Sequence, residues 1–212
     1  MKFDQYNTII WDWNGTLLDD VDMCIRCMNQ LLEPRNIPLL TKNKYQEVFD
    51  FPVQAYYQKI GIDFEKDPFD IIGHDFMDLY FEELPDCKMH SDAIQVLEFF
   101  VQQGKKQYIL SAMEHHALVQ AMKDYKIDHY FEAVYGIDNH LAAGKIDRGI
   151  QMMEEHQIIP EVSIMFGDTL HDKDVADKLD LDIVLISNGH QSFIRLVKAN
   201  KTVLTDLKSI LV

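Results

Sequence analysis

The chain has 212 residues, 47% of them hydrophobic and 12 of them Phe, enough apolar material for one sizeable core with a smaller satellite and too much for a disordered chain. Its 20 basic and 35 acidic residues leave a formal charge of −15, which argues against nucleic acid and anionic membranes as main partners. Three cysteines with no second Cys-x-x-Cys pair, an N-terminus running straight into a strand and apolar runs far too short for a bilayer point to the reducing cytoplasm.

Residues 7–12 read as a buried strand, because Thr8, Ile9, Ile10 and Trp11 are β-prone and apolar. Residues 19 to about 33 read as a helix, with Asp19, Asp20 and Asp22 at the end where the helix dipole favours acids, and with Pro34 and Pro38 breaking it. Cys24 and Cys27 sit at helical spacing, so they read as small apolar residues of one face before they read as a metal or redox pair. From 41 to 85 the pattern is wholly helical: a segment from Thr41, another from Pro52 to Lys59, and a third from Pro68 to Glu83. Its dense aromatics read as the core of a small bundle rather than as a substrate box. Phe51-Pro52, at a break between two helices, looks like a loop able to reach down to a site.

From residue 91 strands alternate with helices. The predicted order is helix Ser91–Gln103 ending at Gly104, strand Gln107–Leu110, helix Glu114–Tyr125, strand Ala133–Tyr135, helix Arg148–His156, strand Ser163–Phe166, helix Asp172–Leu179 and strand Asp182–Ile186. Such alternation predicts crossover units and a parallel sheet. The α/β core is therefore split, its first strand preceding the helical insert and the rest following it.

Asp12, Ser111, Lys145 and the pair Asp168/Asp172 fall at or just beyond strand ends, which share one edge in a parallel sheet, so these side chains can converge. A carboxylate at the end of a buried strand answers no packing need; it is a nucleophile or a metal ligand. With a hydroxyl donor, a cation and further carboxylates, the set could bind Mg²⁺ through oxygens and hold a phosphoryl group for transfer. Structural readings compete with these. Ser111 also fits as the N-cap of the helix from Glu114, Lys145 as a solvated loop lysine, and Asp172 as the cap of the helix after it. His115 and His116 are adjacent and share no helical face.

Asp-Trp-Asn-Gly-Thr-Leu at 12–17, Leu-Ser at 110–111, Gly-Lys at 144–145 and Gly-Asp-Thr-Leu-His-Asp at 167–172 resemble, in order and spacing, the four motifs of the haloacid dehalogenase superfamily. The subgroup most similar contains the phosphoglycolate phosphatase and β-phosphoglucomutase relatives. The resemblance implies an α/β, Rossmann-like core at 1–18 and 88–212 and an all-α cap at 19–87, hinged near Leu18–Asp19 and Cys87–Ser91. It implies Mg²⁺-dependent hydrolysis of a small phosphorylated metabolite through an aspartyl-phosphate. Asp12 would attack phosphorus, Thr16 would shape the phosphate pocket, Ser111 would donate to a phosphoryl oxygen, and Lys145 would neutralise charge. The metal would be held by Asp12, the backbone carbonyl of Asn14 and Asp168, with Asp172 in support.

One position departs from the pattern. Phosphatases of the superfamily usually carry Asp where this chain has Asn14, and that Asp protonates the leaving oxygen and then activates water. An amide has no such proton to give, and general acid–base catalysis is typically worth ~10²–10⁴ in rate. The expectation is intact metal and phosphate binding with slow turnover or a preference for good leaving groups, unless His74, Asp75, His115, His171 or the substrate supplies the acid. A phosphotransferase or mutase, a non-catalytic phosphate-binding relative and a dehalogenase are the alternatives; the Asp168/Asp172 pair speaks against the last.

Overall fold

The computed structural model describes residues 3–137 and 144–212. The chain opens with strand Thr8–Trp11 (β1) and passes into four helices, Val21–Leu32 (α1), Lys42–Val48 (α2), Val53–Lys59 (α3) and Phe69–Glu83 (α4). The core resumes with Ala93–Gln102 (α5), Lys106–Glu114 (β2), His115–Asp124 (α6), Ala133–Ile137 (β3), Gly144–His156 (α7) and Ser163–Gly167 (β4). Leu170–Lys178 (α8), Asp182–Ile186 (β5), Phe193–Ala199 (α9) and Val203–Leu204 (β6) complete it. The six strands form one parallel sheet in the order β3-β2-β1-β4-β5-β6, an α/β Rossmann-like core with an inserted helical cap. No helix among the described residues is long and apolar enough to cross a membrane.

Period-two alternation sorts the strand side chains between the two faces of the sheet. Ile9, Trp11, Ile109, Ile164 and Phe166 join the larger core, which continues into α1, α5 and the cap helices. Ile10, Tyr108, Leu110 and Met165 face the other way, onto Met152 of α7 and Val175, Ala176 and Leu179 around α8. The strand order reverses beside β1, whose neighbours are β2 and β4, and at such a switch point the strand ends leave a crevice. The two linkers between core and cap lie side by side: Leu18 bridges Met89, and the Asp19 N–H donates to the Lys88 carbonyl.

Several boundaries differ from the sequence reading, each for a local reason. β2 runs on to Glu114, because its pairing with β3 resumes at Glu114 and Ile137 after a register shift. Ser111 therefore lies inside the strand, and it does not cap α6. Glu114 does so instead, its carboxylate accepting from the N–H groups of His116 and Ala117. Among the described residues α7 starts at Gly144, so Lys145 is helical and buried, not a solvated loop lysine. α8 begins at Leu170 under a reciprocal cap between Thr169 and Asp172. α9 and the two-residue β6, which pairs with Leu185 and Ile186, carry little sequence signal and were not expected.

Candidate active site

β1 and β4 pair through Trp11 and Phe166, and the Asp12 N–H donates to the Phe166 carbonyl. The first acid and the acidic turn after β4 are thus neighbours at one sheet edge. Gly15 is required beside them. Its φ of +74° suits glycine, and a Cβ there would lie 2.3 Å from Asp168 Oδ2 and 2.4 Å from the His190 ring. The chain can turn over the Asp168 carboxylate only because nothing projects from that position.

The convergence is tight. Lys145 Nζ lies 2.6 Å from Asp12 Oδ1 and 2.6 Å from Asp172 Oδ1. Thr16 Oγ donates to Asp12 Oδ2 at 2.9 Å and approaches Asp168 Oδ1 at 3.2 Å. Asp172 Oδ2 accepts from the Asp168 and Thr169 N–H groups and from the Thr169 hydroxyl, so its role as a cap and its grip on Lys145 coexist. Ser111 Oγ accepts from the Met113 N–H and sits 3.5 Å from Asn14 Oδ1. Thr16, Ser111, Lys145, Asp168 and Asp172 are buried, as is Asp12.

Burial sets the electrostatics. It pushes Asp12 up to about 6, Asp172 adding to the rise and Lys145 opposing it. Asp168 is raised well above the usual carboxylate range by burial and by its neighbours Asp12 and Asp172, despite His190. Burial also acts on Asp172, but Lys145 outweighs it and holds that carboxyl low. For Lys145 burial favours the neutral amine, yet Asp12 and Asp172 outweigh burial and keep it charged.

A second network went unread in the sequence. Asp20 is buried where the chain leaves the core. Its carboxylate accepts from the Gly15 N–H at 2.8 Å, Asn14 Nδ2 at 2.8 Å and the Tyr80 hydroxyl at 3.1 Å, and it lies 3.1 Å from His190 Nε2. Asn14 Nδ2 also lies 2.6 Å from the Tyr80 hydroxyl. Burial disfavours a charged His190, but Asp20 and then Asp168 outweigh it and push the imidazole up to about 9. His190 Nδ1 is 2.8 Å from the Tyr45 hydroxyl, and its backbone N–H donates to Asp168 Oδ2 at 2.5 Å. Cys24 joins this group through a thiol 3.8 Å from Asp20 Oδ2, while burial keeps that thiol protonated; Cys27 is buried on the same helix.

Above Asp12 lies a cavity of about 400 Å³ between core and cap. Tyr45, Phe49, Tyr56, Tyr57, Phe69 and Phe76 line it while also packing edge to face with one another, so the cap aromatics are both core and pocket wall. The Phe51 loop does reach the site, its ring 4.6 Å from that of His171. His74 and His171 line the cavity; His115 is turned to the backbone of Gly136.

The donor set fits a hard divalent cation. Asp12, Asp168 and Asp172 offer carboxylate oxygens all within 4.8 Å of one another, the ligand type Mg²⁺ prefers. Four buried acids, Asp12, Asp20, Asp168 and Asp172, gather around Lys145 and His190.

The family model for haloacid dehalogenase-like hydrolases matches residues 9–186. No curated protein is significantly similar to the chain. A haloacid dehalogenase-like family hydrolase from Streptococcus pneumoniae superposes with a TM-score of 0.81 at 19% identity, covering 98% of this chain and 97% of that one. A predicted phosphatase from Clostridium acetobutylicum gives 0.79 at 19% identity, covering 97% and 98%. A predicted phosphoglycolate phosphatase from Haemophilus somnus gives 0.77 at 17% identity, covering 98% and 97%. With a family model that covers the first strand, the helical insert and the core as far as β5, the chain belongs to the haloacid dehalogenase-like hydrolases.

Proposed function

We propose that the protein is a phosphatase that hydrolyses a small phosphate monoester through an aspartyl-phosphate on Asp12, with Mg²⁺ as its cofactor. The observation that carries the reading is the meeting of Asp12, Thr16, Lys145, Asp168 and Asp172, from three separate chain segments, beside one cavity that Asp12, Lys145 and Asp172 line. Mg²⁺, held by Asp12, the Asn14 carbonyl and Asp168 with Asp172 in support, would supply positive charge to the phosphoryl oxygens.

The chain's own groups do the rest. Lys145 keeps Asp12 ionised as a nucleophile and neutralises charge that gathers as it attacks phosphorus. Asp172 holds that ammonium in place. Thr16 on Oδ2 and Lys145 on Oδ1 fix the orientation of the Asp12 carboxylate that would attack. Ser111, whose hydroxyl donates to Asn14 Oδ1 at 3.5 Å, would turn that proton to a phosphoryl oxygen of the bound ester. The helical segment between the paired linkers acts as a cap that excludes water and selects the leaving group.

Asp12→Asn should lower turnover by roughly 10⁴-fold or more, the scale on which loss of a nucleophile is felt, and should abolish a hydroxylamine-sensitive phosphoenzyme. Chelation of divalent ions should stop phosphate release, and Mg²⁺ should restore it. Unchanged phosphate release by Asp12→Asn would refute the covalent reading. The amide at position 14 favours one second reading, a non-catalytic phosphate-binding relative. Mg²⁺-dependent binding of phosphate without release from any ester would establish it.

A further inference from the structure

The cavity is built for a different leaving group from a short, charged metabolite. Its upper wall is a set of aromatic rings from α2, α3 and α4, and about 400 Å³ accommodates one or two fused rings beside a phosphoryl group. Among the described lining residues the one Lys or Arg is Lys145, and it is spent at the floor on Asp12 and Asp172. The rest of the lining adds the acids Asp70 and Glu114 and the imidazoles of His74 and His171, while His190 is held by Asp20. A second carboxylate or phosphate on the substrate would find no second lysine or arginine among these residues, whereas a flat uncharged ring would meet the stacking and edge contacts that aromatic walls offer. One wall residue, Tyr56, has a buried hydroxyl without a hydrogen-bond partner among the described residues, a group suited to a single polar substituent on such a ring.

Position 14 points the same way by independent chemistry. An alkoxide leaves poorly without an acid, and Asn14 has none to offer; its amide is engaged with Asp20 and Tyr80. Of the other lining groups, Glu114 has its carboxylate committed to the α6 N-terminus, His74 lies 3.7 Å from Asp78, and the His171 ring packs against Phe51. A phenolate leaves without protonation.

We infer that the substrate is an aryl phosphate, the phosphate ester of a phenol-type hydroxyl on an uncharged aromatic ring. The inference rests on the phosphatase reading of the same site. An oxygen of Asp12 attacks phosphorus, and the bond from phosphorus to the ring oxygen breaks, its electron pair leaving with the phenolate. Water then attacks the phosphorus of the acyl phosphate, the bond to Asp12 breaks, and inorganic phosphate departs. The proton that water loses balances the one the phenolate gains. Because no carboxylate at position 14 activates that water, the second step is the slow one.

The test is rapid-quench and steady-state kinetics of the full chain at saturating Mg²⁺ with phenyl phosphate, naphthyl phosphate, glycerol phosphate and phosphoglycolate. Aryl esters should give a burst of about one ring alcohol per active site and exceed the alkyl esters in kcat/KM by about 10²–10⁴-fold. Naphthyl should exceed phenyl by about 10-fold through added apolar contact, since the two alcohols are similarly acidic. Phe76→Ala, and separately Phe69→Ala, should shrink the naphthyl-to-phenyl ratio, with thermal melting used to show that each variant is folded. Comparable kcat/KM for glycerol phosphate or phosphoglycolate, or no gain from phenyl to naphthyl, overturns the aryl assignment while leaving the phosphatase reading intact. Absence of phosphate release and of phosphoenzyme with every ester overturns both.

Discussion

Asn14 donates its amide to Asp20 at 2.8 Å, so replacing it by Asp does two things at once. It supplies a carboxyl where an acid and base are missing, and it sets that carboxyl against a buried carboxylate. Two acids sharing a site raise one pKa, which makes the new group a better proton donor near neutrality. Asn14→Asp should therefore raise turnover of an alkyl phosphate by about 10²–10⁴-fold relative to an aryl phosphate. A steady-state comparison of the two esters checks this; no relative gain would mean that the missing acid is not what limits the site. Gly15→Ala should act on the same turn through sterics and backbone strain, since its Cβ would overlap the Asp168 carboxylate. A stability loss of more than about 1 kcal/mol, read by denaturant melts, should accompany weaker Mg²⁺ binding by titration. Asp12, Thr16, Lys145, Asp168 and Asp172 were legible in the sequence because each sits in a short signature beside an apolar strand or a helix start. Asp20, Tyr80 and His190 were not. They lie far apart in the chain, each reads alone as a solvated or core residue, and only the packing of α4 and the segment after β5 over the first loop brings them together.

At the scale of elements, the α/β alternation was readable because buried parallel strands are short apolar runs and the helices between them are amphipathic. The error at β2 came from polar Ser111 and Glu114, which look like a turn and the start of a helix while the backbone is still paired to β3. Glu114 then ends the strand and caps α6 at once. Burial raises its carboxyl, but the two N–H groups it accepts from, helped by His116 and His115, together outweigh burial and hold it below its ordinary 4.5. A depressed folded-state pKa stabilises fully above the unfolded value and is lost as the pH falls through the folded one. Glu114→Ala should cost about 1 kcal/mol near neutral pH, and its deficit against the parent chain should shrink once the pH drops below about 4. Thermal melts across that range measure it; a deficit independent of pH would show that packing, not the ionised cap, is what was lost.

For the whole molecule, the charge of −15 opposes any dianionic ester at long range, while Lys145 acts only at contact. Raising the ionic strength from about 0.01 to about 0.15 M shortens the screening length from roughly 30 to roughly 8 Å. At saturating Mg²⁺, kcat/KM for an aryl phosphate should rise over that interval, with kcat little changed; a fall would show that local cations already steer the encounter. Tyr80 sets a further condition on the encounter. It stands on α4, and its hydroxyl meets both Asn14 and Asp20 beneath it. Any swing of α4 away from the sheet edge withdraws that hydroxyl, strips a donor from a buried anion and frees the Asn14 amide. Were α4 to swing out to admit an ester, its return and the completion of the floor would be a single event, and a longer-lived open form would come at the expense of an assembled one.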